Sequence, residues 1–334
     1  MPEFSIILPV RNGGQYIKDC VQSIFSQEYT DFELLVLENG STDGTAEWLQ
    51  TIGDPRLKLF PARQPLTIEE NWNRILHVEK STFITLIGHD DILFPTYLKE
   101  MESLIRRYPE ATLYQTHFNY INSQGDPIRN CLPMREVEDA KGFLESCLNR
   151  TIDLMGTGFM MRAADYQAVG GIPMYPNLLF ADFELWLNIT KKGFKVTSME
   201  TCFSFRLHQS TTTTSGDDKM QKAFRQFITY LVQLGNENQA YQEVINSHAG
   251  NFLEHYCQGM VHRLLRTPVD KRNRITVRTV LNQFQEYAHE LKVEHSFHPR
   301  RKWSIKAAIW IDLTALGRKL FLMIKRIFPK PILH

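Results

Sequence analysis

The sequence has few cysteines and lacks a long apolar run. Its five cysteines are scattered and contain no CxxC pair, so neither a zinc knuckle nor a disulfide framework is indicated. No run of about 18 uncharged apolar residues occurs, which argues against a membrane-spanning helix. A strand pattern begins at Phe4 without a signal-peptide pattern before it. These absences predict a cytoplasmic protein with reduced cysteines.

Charge is distributed unevenly along the 334 residues. Between Arg300 and His334, nine lysines and arginines accompany one acid, Asp312, giving a net charge of +8. The whole chain has a net charge of +1, so residues 1–299 carry about −7. Tryptophan and aliphatic residues recur in the basic segment at spacings typical of a helix, and Pro329 follows them.

This basic segment has three interpretations. An amphipathic helix over 301–334 could lie on an anionic membrane, or it could pack on the protein with a solvated basic face. Nucleic-acid binding is disfavoured, because the rest of the chain is net acidic and no recognition module accompanies the segment. We expect membrane association and no nucleic-acid partner.

The first 120 residues alternate strand and helix patterns, which is typical of βαβ units on a mostly parallel sheet. The predicted strands are 4–10, 32–37, 57–60, 83–87 and 111–114. Residues 219–293 are mostly helical in pattern, with a break near Thr267-Pro268.

Two polar segments directly follow predicted strands. Asp90-Asp91 come after the run 83–87, and the loop Glu38–Thr45 comes after the run 32–37. Ligands of open α/β sheets bind at the carboxyl ends of strands. Adjacent carboxylates are compensated well by a divalent cation that also binds substrate phosphates. Taken alone, however, each segment could equally be a turn that caps the next helix.

Several motifs in order change this balance. They are Ser5–Gly14, Tyr16-Ile17, Glu33–Thr45, Asn73 at 17 residues before Asp90, Gly170–Pro173, Ala181–Trp186 and Phe205–His208. Together they resemble a family 2 inverting glycosyltransferase with the GT-A fold, of the type that builds bacterial cell-surface polysaccharides. The resemblance covers roughly residues 4–210 and does not extend to the C-terminal third.

The resemblance implies an α/β fold of the GT-A (Rossmann-like) kind, with a mixed, mostly parallel sheet flanked by helices and a helical C-terminal extension. The catalytic domain would span 1–215, with a nucleotide-sugar half at about 1–120 and an acceptor half at about 121–215. A helical extension would follow at 216–299, and a basic amphipathic tail at 300–334.

It also implies roles for individual residues. The donor-binding set would be Pro9, Val10, Arg11, Glu38, Asp43, Asn73 and Asp90. Asp91 would ligate Mn²⁺ or Mg²⁺, with His208 near the metal or the diphosphate. Asp182 would be the catalytic base, although an acid at this place could instead be only the N-terminal charge of a helix.

The implied reaction is transfer of a sugar, with inversion, from a nucleotide diphosphate, most commonly UDP, to an acceptor hydroxyl. The acceptor would be a glycan or a lipid-linked sugar, and the enzyme would sit peripherally at the cytoplasmic face of the membrane; self-association is left open. Two positions depart from the family, Gly88 and Ala181, where acids are usual. They support one alternative, a catalytically inactive sugar-nucleotide-binding or scaffold protein of the same fold.

Overall fold

The computed structural model describes residues 2–208, 217–269, 272 and 274–327. The chain divides into two compact units. The first contains Met1–Phe143 and Ile152–Thr213, and the second contains Leu144–Thr151 and Thr214–His334. The predicted boundary at 215 lies outside the described residues. The residues predicted as a separate tail group with the preceding helices in the second unit.

The first unit contains a ten-stranded mixed sheet. Its strands are β1 (Phe4–Val10), β2 (Phe32–Glu38), β3 (Leu57–Pro61), β4 (Phe83–Leu86), β5 (Ile92–Leu93), β6 (Leu113–Ile121), β7 (Pro127–Asn130), β8 (Val137–Glu138), β9 (Phe159–Arg162) and β10 (Lys195–Arg206). The order is β3-β2-β1-β4-β9-β6-β10-β5, with β7 paired to β6 and β8 paired to β10. Strands β3, β2, β1 and β4 are parallel, and β10 is parallel to β6. The predicted fold class is confirmed.

Burial explains the central strands. All seven residues of β1 are buried between β2 and β4, as a continuous apolar run requires. The helices of this unit are α1 (Tyr16–Phe25), α2 (Thr45–Gln50), α3 (Ile68–Asn73), α4 (Tyr97–Arg107), α5 (Ala140–Asn149, which continues into the second unit), α6 (Ala163–Ala168) and α7 (Ala181–Thr190). Helix α1 buries Ile17, Cys20, Val21 and Ile24, one face at helical spacing.

The described part of the second unit is helical. It contains α8 (Asp217–Glu237), α9 (Gln239–Arg266), α10 (Val277–Glu290), α11 (Trp303–Leu313) and α12 (Ala315–Ile327). The Phe224 ring of α8 lies 6.2 Å from Phe252 of α9 and 5.2 Å from Phe284 of α10, so an aromatic cluster joins these helices. Helix α9 ends at Arg266, directly before the predicted break.

The basic tail differs from the single helix that we expected. Thr314 has extended backbone angles (φ −121°, ψ 134°) and separates α11 from α12. Residues 328–334, which include the predicted stop at Pro329, lie outside the described part of the chain. No helix in the described ranges is long and apolar enough to cross a membrane.

Candidate active site

The loops after β1 and β2 are tied together at the carboxyl edge of the sheet. Asp43 accepts hydrogen bonds from the backbone N–H of Gly14 (2.9 Å) and of Thr45 (3.1 Å). Asn12, at φ 54°, accepts from the Thr42 N–H at 2.8 Å. Partial burial opposes ionisation of Asp43, but its hydrogen bonds with Thr45 and Gly14 lower its pKa. Asp43 therefore braces the two loops as a carboxylate.

The other predicted donor residues of this edge differ in exposure. Pro9 and Val10 are buried in β1, and Arg11 is exposed directly after it. Glu38 is buried, and its carboxylate accepts from the backbone N–H of Gly40 (3.1 Å) and of Ser41 (2.6 Å). The Glu38 carboxylate thus holds the turn of its own loop.

Helix α3 is attached to the sheet by two residues that the sequence reasoning missed. Asn71 is buried and donates its side-chain N–H to the Leu37 carbonyl at 3.2 Å. Arg74 donates to the carbonyls of Glu38 (3.0 Å) and Phe60 (2.6 Å). Asn73, the predicted donor residue, lies between them and is partly exposed at the end of the helix. The sequence signal that could have identified Arg74 is that a cationic residue directly follows the Asn73 motif position.

The first carboxylate of the Asp pair meets a histidine that lies far away in sequence. His208 Nε2 is 2.6 Å from Asp90 Oδ2, and both side chains are partly exposed. The His208 ring also lies 5.0 Å from the Tyr16 ring of α1. Although burial opposes ionisation, the hydrogen bond with His208 and neighbouring imidazole charge lower the pKa of Asp90. The predicted residues Asp90 and His208 are therefore brought together.

The second carboxylate has a different environment. Asp91 is 1% exposed, and its two oxygens accept hydrogen bonds from Thr157 Oγ1 (2.7 Å) and from the Arg206 backbone N–H (3.1 Å). Burial, followed by the charge of Asp90, raises the pKa of Asp91 well above its ordinary value. The Asp91 carboxylate is therefore enclosed, with one hydrogen bond on each oxygen, and its role as a metal ligand stays a prediction.

Arg206 connects the elements around the Asp pair. It is 4% exposed, and its Nε donates to the Asp90 carbonyl at 2.8 Å. Its Nη1 donates to the Asn122 carbonyl at 3.2 Å, and its guanidinium carbon lies 4.7 Å from the Tyr16 ring centre. Nη2 lies 3.8 Å from the exposed carboxylate of Asp19. Its place in the motif Phe205–His208 was the only sequence signal of this role.

Gly88, one of the two departures from the family pattern, lies against the Asp pair. A Cβ atom at this position would lie 2.6 Å from Asp90 Oδ1 and 3.1 Å from Asp91 Oδ2. Asp90 therefore occupies the space that a side chain at position 88 would need. A side chain at position 88 would therefore require the Asp90 carboxylate to move.

Asp182 lies in the first turn of α7 and is partly exposed. Phe180, at φ 66°, forms the N-cap of this helix. Burial raises the pKa of Asp182 from 3.8 to about 6, and hydrogen bonds with the Phe183 and Asp182 backbone N–H groups oppose the rise only in part. A carboxyl with this pKa can accept a proton near neutral pH.

A four-residue segment, Met155–Gly158, joins the two predicted sites. A Cβ atom at Gly156 would lie 3.7 Å from Asp182 Cβ, and the Met155 carbonyl accepts from Trp186 Nε1 at 2.8 Å, one turn further along α7. The next residue, Thr157, donates to Asp91. Consecutive residues therefore contact the Asp182 helix and the Asp pair, which places Asp182 beside the carboxyl edge of β4.

A divalent cation fits this site only together with a substrate. Among the described residues, no cluster of three or more His, Cys, Asp and Glu side chains could hold a metal ion. The Asp90–His208 pair offers one carboxylate and one imidazole. Magnesium sites commonly combine one or two carboxylates with substrate phosphates and water, so Asp90, with His208 once their mutual hydrogen bond opens, could complete such a set with a bound phosphate group.

Comparison with known proteins agrees with this geometry. A sequence model described as "Glycosyl transferase family 2" matches residues 5–169, about half of the chain. An uncharacterized glycosyltransferase of Haemophilus influenzae is 24% identical over 248 residues, covering 69% of this chain and 75% of that protein. TuaG of Bacillus subtilis, named as a putative teichuronic acid biosynthesis glycosyltransferase, is 25% identical over 211 residues, covering 61% and 78%.

Among solved structures, S. aureus TarS 1–349 in complex with UDP-GlcNAc has a similar fold. The TM-score is 0.60 at 14% sequence identity, over 88% of this chain and 91% of that one. At this identity the likeness concerns the fold alone. The share covered exceeds the first unit, so it includes residues of the C-terminal third, where the sequence resemblance had ended.

Proposed function

We propose that the chain, which belongs to glycosyl transferase family 2 and is a glycosyltransferase, transfers a sugar with inversion. The donor is a nucleotide diphosphate sugar, and the acceptor is a hydroxyl. The observation that carries this proposal is the placement of Asp182, with its raised pKa, beside the donor-edge residues through Met155–Gly158. A base on one side and a diphosphate site on the other are what a single displacement requires.

Asp182 would remove the proton from the acceptor hydroxyl as the new bond forms at the anomeric carbon. General-base catalysis of this kind contributes about 10²–10⁴-fold. Asp90 and His208 would hold the cation together with the donor diphosphate. Asp91 would stabilise the loop after β4 through its hydrogen bonds with Thr157 and Arg206. Bound Mn²⁺ or Mg²⁺ supplies charge neutralisation at the leaving diphosphate. The sequence analysis assigned the principal metal ligand to Asp91, whereas this proposal assigns it to Asp90.

The proposed classes of donor and acceptor are supported by proteins that are similar to this chain. TarS has been solved with UDP-GlcNAc, and TuaG is named for teichuronic acid biosynthesis. They support a UDP-sugar donor and an acceptor in surface glycan assembly, either a glycan or a lipid-linked sugar.

The test is a screen of nucleotide-sugars with Mn²⁺, in which thermal shift reports binding and slow donor hydrolysis or transfer reports chemistry. The proposal expects turnover by the native chain, and an Asp182→Asn variant that binds the same donor but turns it over at least about 10²-fold more slowly. Donor binding without turnover by the native chain, across a full acceptor panel, would instead establish the inactive binding or scaffold protein.

We also propose that α11 and α12 attach the enzyme to the cytoplasmic face of an anionic membrane. Eight large apolar side chains of these helices are exposed: Trp303, Trp310, Leu313, Leu316, Leu320, Leu322, Met323 and Ile324. Lysines and arginines accompany them in sequence, and the acid Asp312 is already paired with Arg272 at 2.7 Å. Apolar side chains with nearby cations favour the interface of an anionic bilayer.

Vesicle sedimentation tests this attachment. A triple variant, Trp303→Ser, Trp310→Ser and Leu316→Ser, should lose most binding to anionic vesicles. Met199→Ser, which removes an exposed apolar side chain from β10 of the first unit, should not. Equal sedimentation of the triple variant and the native chain would reject membrane attachment by these helices.

A further inference from the structure

The second unit contains an open polar cavity of about 290 Å³, with Arg150, Asn251 and His255 exposed at its surface, that the proposed reaction does not use. Its polar lining is Asn149, Arg150, Asn251, His255, Gln258 and Lys302. Among the described residues, no carboxylate lines this cavity. Two cationic groups, an imidazole and three amides therefore face one space of a size that holds a small anion.

Arg150 is held in a sterically costly conformation. It directly follows α5 and has φ 56°, the left-handed region that arginine rarely adopts. Its Nη1 lies 2.6 Å from His255 Nδ1, and no acid of the described chain is within ion-pair distance of it. Because arginine is always charged, this contact makes Nδ1 the acceptor, so Nε2 of the neutral ring carries the hydrogen.

The two cationic side chains of the cavity differ in how their charges are compensated. Burial, then the charges of Arg150 and Lys302, lower the pKa of His255. Lys302 is paired with Glu254 at 2.8 Å, and the same Glu254 carboxylate also accepts from the His298 N–H at 2.7 Å. The charge of Lys302 is thus compensated, whereas that of Arg150 is not.

We propose that this cavity binds a phosphate group, as a monoester or diester, through Arg150 and the His255 Nε2–H. A guanidinium presents parallel N–H donors that match phosphate oxygens, and the amide of Asn251 offers a further donor, whereas the Gln258 amide already donates to Ser304 at 2.9 Å. Lys302 also directly precedes Trp303, which is 80% exposed at the start of α11. The phosphate can therefore come from a lipid headgroup or from a soluble phosphorylated molecule.

Isothermal titration with glycerol 1-phosphate tests the site, with glycerol as the uncharged probe. Arg150→Asn suits the positive φ, since asparagine tolerates it, and His255→Gln provides a second variant. Each should weaken binding about tenfold or more. Lys306→Gln is the matched control, because it removes one exposed cation of α11 that does not line the cavity. Melting temperatures verify that all variants are folded.

Two results would overturn the proposal: no saturable binding of glycerol 1-phosphate to the native chain, or an equal loss in the control and both cavity variants. A second arm compares soluble dihexanoyl phosphatidic acid with glycerol 1-phosphate. Tighter binding of the lipid identifies a headgroup as the source, and equal binding identifies a soluble phosphate. Only the lipid arm rests on the proposed membrane attachment. Donor turnover is measured separately, so a failed site and a failed glycosyl-transfer proposal are distinguishable.

Discussion

Replacement of Asp182 by asparagine should lower activity by about 10²-fold or more and stabilise the fold at the same time. Burial raises the pKa of this carboxyl from 3.8 to about 6, so the folded state binds its proton more tightly than the unfolded state. The stabilisation that follows is fully present below pH 3.8 and is lost as the pH rises through 6. Two pKa units correspond to about 3 kcal/mol, so an uncharged side chain should stabilise the protein by about 1–3 kcal/mol at pH 8.

Thermal unfolding of the native chain and of Asp182→Asn at pH 8 and pH 4 measures this effect. The variant should melt higher at pH 8 and at nearly the same temperature at pH 4. Asp31→Asn, the same change at an exposed position, should shift neither temperature appreciably. In the native enzyme, kcat/KM should rise with pH through about 6 and then level off. A variant that melts lower at pH 8, or that retains full transfer, would refute the account of a desolvated base.

Three further predictions concern the donor site. Asp90→Asn should weaken Mn²⁺-dependent donor binding by about tenfold or more, because Asp90 is the partly exposed carboxylate of the pair. Asp91→Asn should keep this binding, because Asp91 is 1% exposed. Titration of donor with and without Mn²⁺ compares the two variants, and the reverse order would restore Asp91 as the ligand. His208→Gln should raise the Mn²⁺ concentration needed for half-maximal turnover, and an unchanged metal dependence would remove it from the site. Gly88→Ala should weaken donor binding in the same titration, since its Cβ would displace Asp90; native affinity would show that the Asp90 position is not required.

Much of the nucleotide-sugar half could be predicted because its signals are local. Strands β1, β2 and β4 are mostly apolar runs buried along their whole length, and the polar loops that follow them reach one edge by the rule for parallel strands. Strand β5 was not predicted, since two residues carry no periodicity. Strand β10 was not predicted either, because register shifts near Thr201 interrupt its alternation.

The resemblance assigned Asp90 and His208 to one donor site, but direct contacts between distant residues were not predicted from the sequence. The pairing of Asp90 with His208 spans 118 positions and depends on β10 ending next to the loop after β4. The same topology makes Arg206 a buried connector, which its residue type alone does not indicate. The assignment of residues 144–151 to the second unit was also not predicted. The division falls inside helix α5, and the sequence pattern of that helix shows no break there.

Some residues of the candidate site are exposed enough to contact a substrate, whereas others are buried and hold the exposed residues in place. Asp90, His208 and Asp182 are partly exposed, whereas Asp91 and Arg206 are buried with their polar atoms bonded inside the protein. One member of each group contacts the segment Met155–Gly158. Gly156 packs against Asp182, and Thr157 donates a hydrogen bond to Asp91. A displacement of this segment would therefore shift the base and the donor loop together. A short connection of this kind would couple the two positions in the proposed single displacement, in which misplacement by about 1 Å can cost about 10²-fold in rate.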